Sequence, residues 1–228
     1  MTNTCPARLM SALCLGILLA AGLAQSQPSA NVAVFATGLD NPRGLKFGPD
    51  GDLYVAEGGA GGTASTVGQC DQVPPPVGPY TGGMTARISK LSPDGTTRTT
   101  VADQLPSSQT APAAGGFVSG VADVAFIGDT LYAILAGAGC SHGLAGTVNA
   151  VLRVNGDGTV TQVADLSTFQ QQNPVANPDP DDFEPEGTWY SMVAVRGNLY
   201  AIEPNHGEFD KITRDGTVRR VADMSAIP

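Results

Sequence analysis

Two short stretches near the C-terminus hold the side chains best suited to chemistry. Glu184-Pro-Glu186 and Glu203-Pro-Asn205-His206-Gly-Glu208 set carboxylates, an amide and an imidazole within a few residues of one another. A carboxylate beside an imidazole can move protons, which makes Glu186 and His206 a candidate acid–base pair. A ring of carboxylates closed by an amide oxygen is the donor set of Ca²⁺, which takes about six to eight oxygens, and Ca²⁺ is the one cofactor these residues suggest. Earlier in the chain, Asn41, Arg43 and Glu57 add an amide, a cation and a carboxylate, and Asp123 adds another acid. All of these groups would serve equally to cap turns or to pair with one another. The segment Asp179–Glu186 (DPDDFEPE) lacks the glycine and the spacing of an EF-hand loop and reads as a solvated linker. No Gly-x-Ser-x-Gly elbow, P-loop or His-Glu-x-x-His is present, so no residue is assigned as catalytic and no metal ligand set is assigned.

The elements that position these residues come from a repeat. Leu-Tyr recurs at 53–54, 131–132 and 199–200, and Asp-Gly-Thr at 94–96, 157–159 and 215–217. A Val-Ala-Asp ending closes each unit at Val101–Asp103, Val163–Asp165 and Val221–Asp223. Alternating apolar residues on both sides of each turn read as hairpins, two per unit. The blade repeats span residues 39–105, 117–168 and 184–225, with no helix expected between them. Between the hairpins lies a loop that shrinks from repeat to repeat, the largest being Gly58–Thr85. Insertion at one fixed point of each repeat places the variable loops on one face, where repeat proteins bind. Four antiparallel strands per unit predict an all-β fold, a β-propeller with three four-stranded blades, rather than a sandwich. On that fold the residues just before the first strand and just after the second share the channel face. The channel and binding-face candidates are therefore Arg43, Glu57, Glu186, Glu203, Asn205 and His206.

Closed propellers usually have at least four blades. Three therefore imply either a piece of a longer ring or two copies that assemble one. The stretch Asn31–Gly38 (NVAVFATG) reads as a lone strand and fits the outermost strand of the blade that would close the ring.

Residues 1–24 read as a signal peptide, with Arg8 before the apolar run Leu9–Leu23, and residues 25–30 as a short linker. The protein is therefore expected to be secreted or periplasmic, off the membrane once cleaved. Cys5 and Cys14 leave with the signal. Cys70 and Cys140 remain in an oxidising compartment, on same-face loops of adjacent repeats, and are expected to form a disulfide. The formal charge of −9 and pI of about 4.5, with no basic stripe, argue against nucleic-acid binding.

The stretches Ala36–Gly62 (ATGLDNPRGLKFGPDGDLYVAEGGAGG) and Glu184–Ile212 (EPEGTWYSMVAVRGNLYAIEPNHGEFDKI) resemble the ScyD/ScyE family of exported proteins. The resemblance implies a six-bladed propeller of the broad NHL and TolB-like kind and carries over no catalytic residue. The expected function is an exported propeller that binds a small-molecule or protein ligand at its loop face. A divalent-cation-dependent hydrolase of the gluconolactonase or strictosidine-synthase-like sort and a structural interaction module are the alternatives.

Overall fold

The computed structural model describes residues 31–180 and 183–226. The chain divides into Met1–Val34 and Phe35–Pro228. Of the first unit, residues 31–34 are described; they are exposed and form no strand. The expected signal peptide and linker lie outside the described residues.

The second unit forms three blades of an all-β propeller. Blade one consists of β1 (Pro42–Phe47), β2 (Leu53–Glu57), β3 (Thr81–Leu91) and β4 (Arg98–Gln109), with a two-residue β5 (Val118–Ser119) on its outer edge. Blade two is β6 (Val121–Ile127), β7 (Thr130–Leu135), β8 (Ala150–Val154) and β9 (Val160–Asp165). Blade three is β10 (Ser191–Val195), β11 (Asn198–Glu203), β12 (Glu208–Ile212) and β13 (Val218–Asp223). Within each sheet the strands lie in sequence order, antiparallel to their neighbours.

The repeated Asp-Gly-Thr closes the third and fourth strands of every blade by the same chemistry. Asp94 Oδ1 accepts from the Thr96 N–H at 3.1 Å, and Asp157 Oδ1 from the Thr159 N–H at 3.0 Å. Asp215 accepts from Thr217 in the same way at 3.4 Å. The glycines that follow, Gly95, Gly158 and Gly216, have φ of 72°, 85° and 90°, a left-handed turn that a side chain would strain. Hydrogen bonds from Ser92 and Thr96 hold the Asp94 carboxyl down at about 2.

The repeated Leu-Tyr builds the seams between blades, because successive strand residues face opposite sides of the sheet. Leu131, Ala133 and Leu135 point back into a buried cluster with Ala56, Ala86 and Ile88 of blade one. Tyr132 and Ile134 point forward into a second cluster with Met192, Leu199 and Ala201 of blade three. Tyr54 likewise points forward and meets Phe126 edge-on, with ring centroids 5.0 Å apart.

Strand β6 lies between β1 and β10, and Asp123 ties the three together. Its Oδ2 accepts from the Met192 N–H at 2.8 Å and from Ser191 Oγ at 3.2 Å. On its other side Gly44 of β1 packs so closely that an added Cβ would lie 2.6 Å from the Asp123 Cα. The Gly44→Ala variant is therefore expected to lose about 2–3 kcal/mol by overpacking the seam. A urea titration should show it, and an unchanged midpoint would mean that the blades are not held this tightly.

Four expectations need correction. Asn31–Gly38 forms no strand among the described residues; within the second unit Ala36 and Leu39 pack on Leu53, Val55 and Leu91. A helix does occur, α1 (Leu166–Gln172), started by Asp165, whose Oδ1 accepts from the Thr168 N–H at 2.8 Å. Strands β3 and β4 run well past the expected Ala86–Ser92 and Thr96–Ala102, through Gly82-Gly83 and Pro106, residue types that usually mark strand ends. The segment before blade three is not wholly a solvated linker, because Glu184 is buried.

Candidate functional site

Arg43 at the start of β1, Glu184 and Tyr190 ahead of β10, Asn205 beyond β11 and Tyr80 from the long loop line one cavity of ≈ 380 Å³. Thr110, Phe117 and Ser119 form its opposite wall. The Arg43 guanidinium donates to the Val118 carbonyl at 3.1 Å and sits 5.3 Å from the centre of the Tyr190 ring. Those contacts fix its direction, and with five N–H donors it has others left for a ligand.

Glu184 is the buried acid of this cavity. Tyr80 Oη donates to its Oε1 at 2.7 Å, and His142 Nε2 stands 3.3 Å from its Oε2. The Tyr80 and His142 ring centres lie 4.8 Å apart, with the ring planes tilted by 56°. Behind them Ser141 Oγ lies 3.3 Å from His142 Nδ1 and donates to Glu186 Oε2 at 2.6 Å. Glu186 also accepts from the Cys140 and Ser141 N–H groups at 2.9 and 2.7 Å. The result is a largely buried array, Glu186–Ser141–His142–Glu184–Tyr80, that reaches the cavity at Glu184 and Tyr80. Tyr80 anchors Glu184 Oε1, while Oε2 stands close to His142 without a hydrogen bond, so one oxygen of this buried carboxyl is satisfied and the other is not.

The Cys70–Cys140 disulfide joins the long loop of blade one to the turn that carries Ser141 and His142, with Cα atoms 6.3 Å apart. Thr66 Oγ1 donates to the Cys140 carbonyl beside it.

The remaining sequence candidates lie elsewhere. Glu57 is buried against Arg87, Ser89 and the Asp40 N–H; burial pushes its carboxyl up, but these donors hold it below the usual range. Glu203 accepts from the Thr188 and His206 N–H groups at 2.9 and 2.6 Å. His206 pairs with Glu203, Nδ1 to Oε2 at 3.3 Å, and Glu186 with Ser141, so Glu186 and His206 do not form the acid–base pair expected from a shared channel face. Burial pushes the His206 imidazole down, but Glu203 more than offsets this and raises it. With Phe183 edge-on to it, His206 lines a separate cavity of ≈ 350 Å³ together with Gln170, Val175 and Pro185. Glu57, Glu186 and Glu203 thus face different partners, and among the described residues no three His, Cys, Asp or Glu side chains converge on one point. Of the two histidines, His142 is the weaker candidate in sequence, since it lies in a Gly-rich loop beside Cys140, yet it is the one beside Glu184. Tyr80 has no sequence signal, because it sits in a loop without periodicity.

No family model matches the chain. No curated protein matches it either. Among solved structures it is similar to a chain of a nidogen/laminin complex, at 14% identity over 82% of this chain and 48% of that one, with a TM-score of 0.44. It is also similar to virginiamycin B lyase from Staphylococcus aureus, at 15% identity over 78% of this chain and 40% of that one, with a TM-score of 0.39. A third is the PQQ-bound aldose sugar dehydrogenase from Streptomyces coelicolor, at 12% identity over 84% of each chain, with a TM-score of 0.27. The chain spans about half the length of the first two. At these identities the likeness is one of fold.

Proposed function

We propose that the protein is an exported, non-catalytic propeller of the ScyD/ScyE kind that binds a small polar molecule at the cavity of Arg43, Glu184 and Asn205. The convergence of these three groups carries the reading. Arg43 offers fork-like donors to an anionic or carbonyl oxygen of a ligand. Glu184, held by Tyr80 and His142, offers an acceptor to a ligand N–H or O–H, and Asn205 can do either. Tyr190 supplies a flat apolar wall. The cavity is of the size that small-molecule sites usually have. The disulfide, the signal-like N-terminus and the acidic charge all fit an exported protein.

A thermal-shift screen of small organic acids and sugar acids tests this. Ligands that raise the melting temperature are expected to lose about tenfold or more in affinity in Arg43→Ala, a loss of about 1.4 kcal/mol or more. They should lose a similar amount in Glu184→Gln, with the fold intact by circular dichroism. Equal binding by both variants would place the ligand elsewhere. A melting temperature that falls in EDTA and is restored by Ca²⁺ would instead favour the cation-dependent hydrolase.

A further inference from the structure

Two short segments divide their residues between two cavities. Glu184 and Asn205 line the cavity of Arg43, and the residues that follow them, Pro185 and His206, line the separate cavity of ≈ 350 Å³. The second cavity takes its other walls from Gln170 in α1, from Pro178 beyond that helix and from Phe183, with the exposed Asp71 beside the bridged Cys70. The chain between α1 and Pro178 is tied to the last strand of blade three. Arg220 Nη1 donates to the Pro174 carbonyl at 3.2 Å, and the Ala176 N–H to Asp223 Oδ2 at 2.8 Å. Asn177 Nδ2 donates to the Ser225 carbonyl at 3.0 Å. These bonds hold that wall in place, so the cavity has a defined shape.

Two of its lining groups are buried polar side chains with hydrogen-bonding capacity to spare. His206 is 4% exposed and Gln170 6%. His206 Nδ1 stands close to Glu203, but neither ring nitrogen makes a hydrogen bond among the described residues, and neither does Gln170 Oε1. Buried polar groups in folded proteins nearly always have a partner. Two without one on a single, otherwise mainly apolar cavity mark the place of a ligand's polar edge. Burial works against a charge on His206, but Glu203, Glu208 and Glu184 raise its imidazole. It therefore holds its second proton more firmly than a free histidine, and when charged it donates through both nitrogens. Glu203 beside it and Asp71 at the lining oppose an anionic ligand.

We infer that this cavity is a second ligand site, and that it takes a neutral aromatic molecule carrying an amide. The amide carbonyl accepts from His206 Nε2–H, and the amide N–H donates to Gln170 Oε1. The aromatic ring packs against Phe183 and the flat apolar rings of Pro178 and Pro185. An amide supplies the acceptor and the donor on adjacent atoms without a charge, which is the complement of an imidazole and a carboxamide set among acids.

Benzamide is the probe, titrated into the ¹⁵N-labelled chain at about pH 6 while the imidazole nitrogens are followed by NMR. The chain has 2 histidines, and the signal lost in His206→Gln assigns the one that matters. The His206 resonances are expected to move and saturate with benzamide, while those of His142 stay in place. Phe183 is 40% exposed, so Phe183→Ala should keep the fold and weaken benzamide by about tenfold or more. Benzoate, which has the same ring but is ionised at this pH, should bind about tenfold more weakly than benzamide. The absence of a saturable His206 shift would overturn the proposal, as would equal affinity in Phe183→Ala. Benzoate binding as tightly as benzamide would overturn the ligand class, and toluene doing so would show an apolar hole without polar recognition. Arg43, Glu184 and Asn205 do not line this cavity, so failure here leaves the reading of the first cavity standing.

Discussion

Replacing Cys70 and Cys140 by serine lowers stability by about 3–4 kcal/mol, the upper part of the usual range for a bridge. The bond closes a loop of 70 residues, and the chain entropy that a cross-link removes from the unfolded state grows with loop length. For a chain of this size the loss corresponds to a fall of about 6–16 °C in melting temperature. The effect should also reach the site, because Cys140 opens the turn that presents Ser141 to Glu186 and His142 to Glu184. Urea unfolding of the double variant beside the oxidised parent checks the magnitude. A change below about 1 kcal/mol would mean that the two loops are held together by their other contacts and that the bridge adds little.

Stability should fall as pH rises from about 5 to 8, and Glu208 is the main cause. Burial pushes its carboxyl up to about 7; a hydrogen bond from Arg220 Nη2 at 2.8 Å works against this, while Asp210 and Glu203 add to it. The folded chain therefore keeps a proton that the unfolded chain, with a glutamate near 4.5, releases. Wherever the folded state binds more protons, stability declines with rising pH. The contribution of Glu208 is fully present below about 4.5 and is lost as pH passes 7. At 1.36 kcal/mol per pKa unit the loss is at most about 3 kcal/mol. Asp210 and His206 are also raised, so they act in the same direction. Glu57 is lowered, so its share is lost on the acid side instead. Glu208→Gln keeps an acceptor for Arg220 but cannot titrate, and it should flatten most of the decline between pH 5 and 8. Denaturation at several pH values decides this. An unchanged slope in the variant would show that Arg220 keeps Glu208 ionised throughout.

Much of the architecture was legible because it is local. The Asp-Gly-Thr turns announce themselves, since one carboxylate, one left-handed glycine and one threonine suffice to close a hairpin. Leu-Tyr alternation is legible for a related reason: strand geometry sends neighbours to opposite faces, so each repeat shows one residue to the blade before it and one to the blade after. The short helix α1 was hidden, because seven residues cannot display a helical period and its cap, Asp165, had already been read as the end of a strand. The extensions of β3 and β4 were hidden by Gly82, Gly83 and Pro106, which resemble punctuation and here sit beside bulges.

The amino-acid sequence by itself determined the repeat, its turns, the pairing of two cysteines and the candidates on one face. Only the tertiary structure decided which of them share a cavity. Tyr80 and Glu184, 104 residues apart, meet through loops of unequal length, and such loops have no period to read. It also separated Glu186 from His206, which look like partners in sequence, because each carboxylate is captured by the nearest buried donors. Local pattern specifies strands and turns; the contacts between non-repeating loops, which arise only once the blades have packed, specify the site.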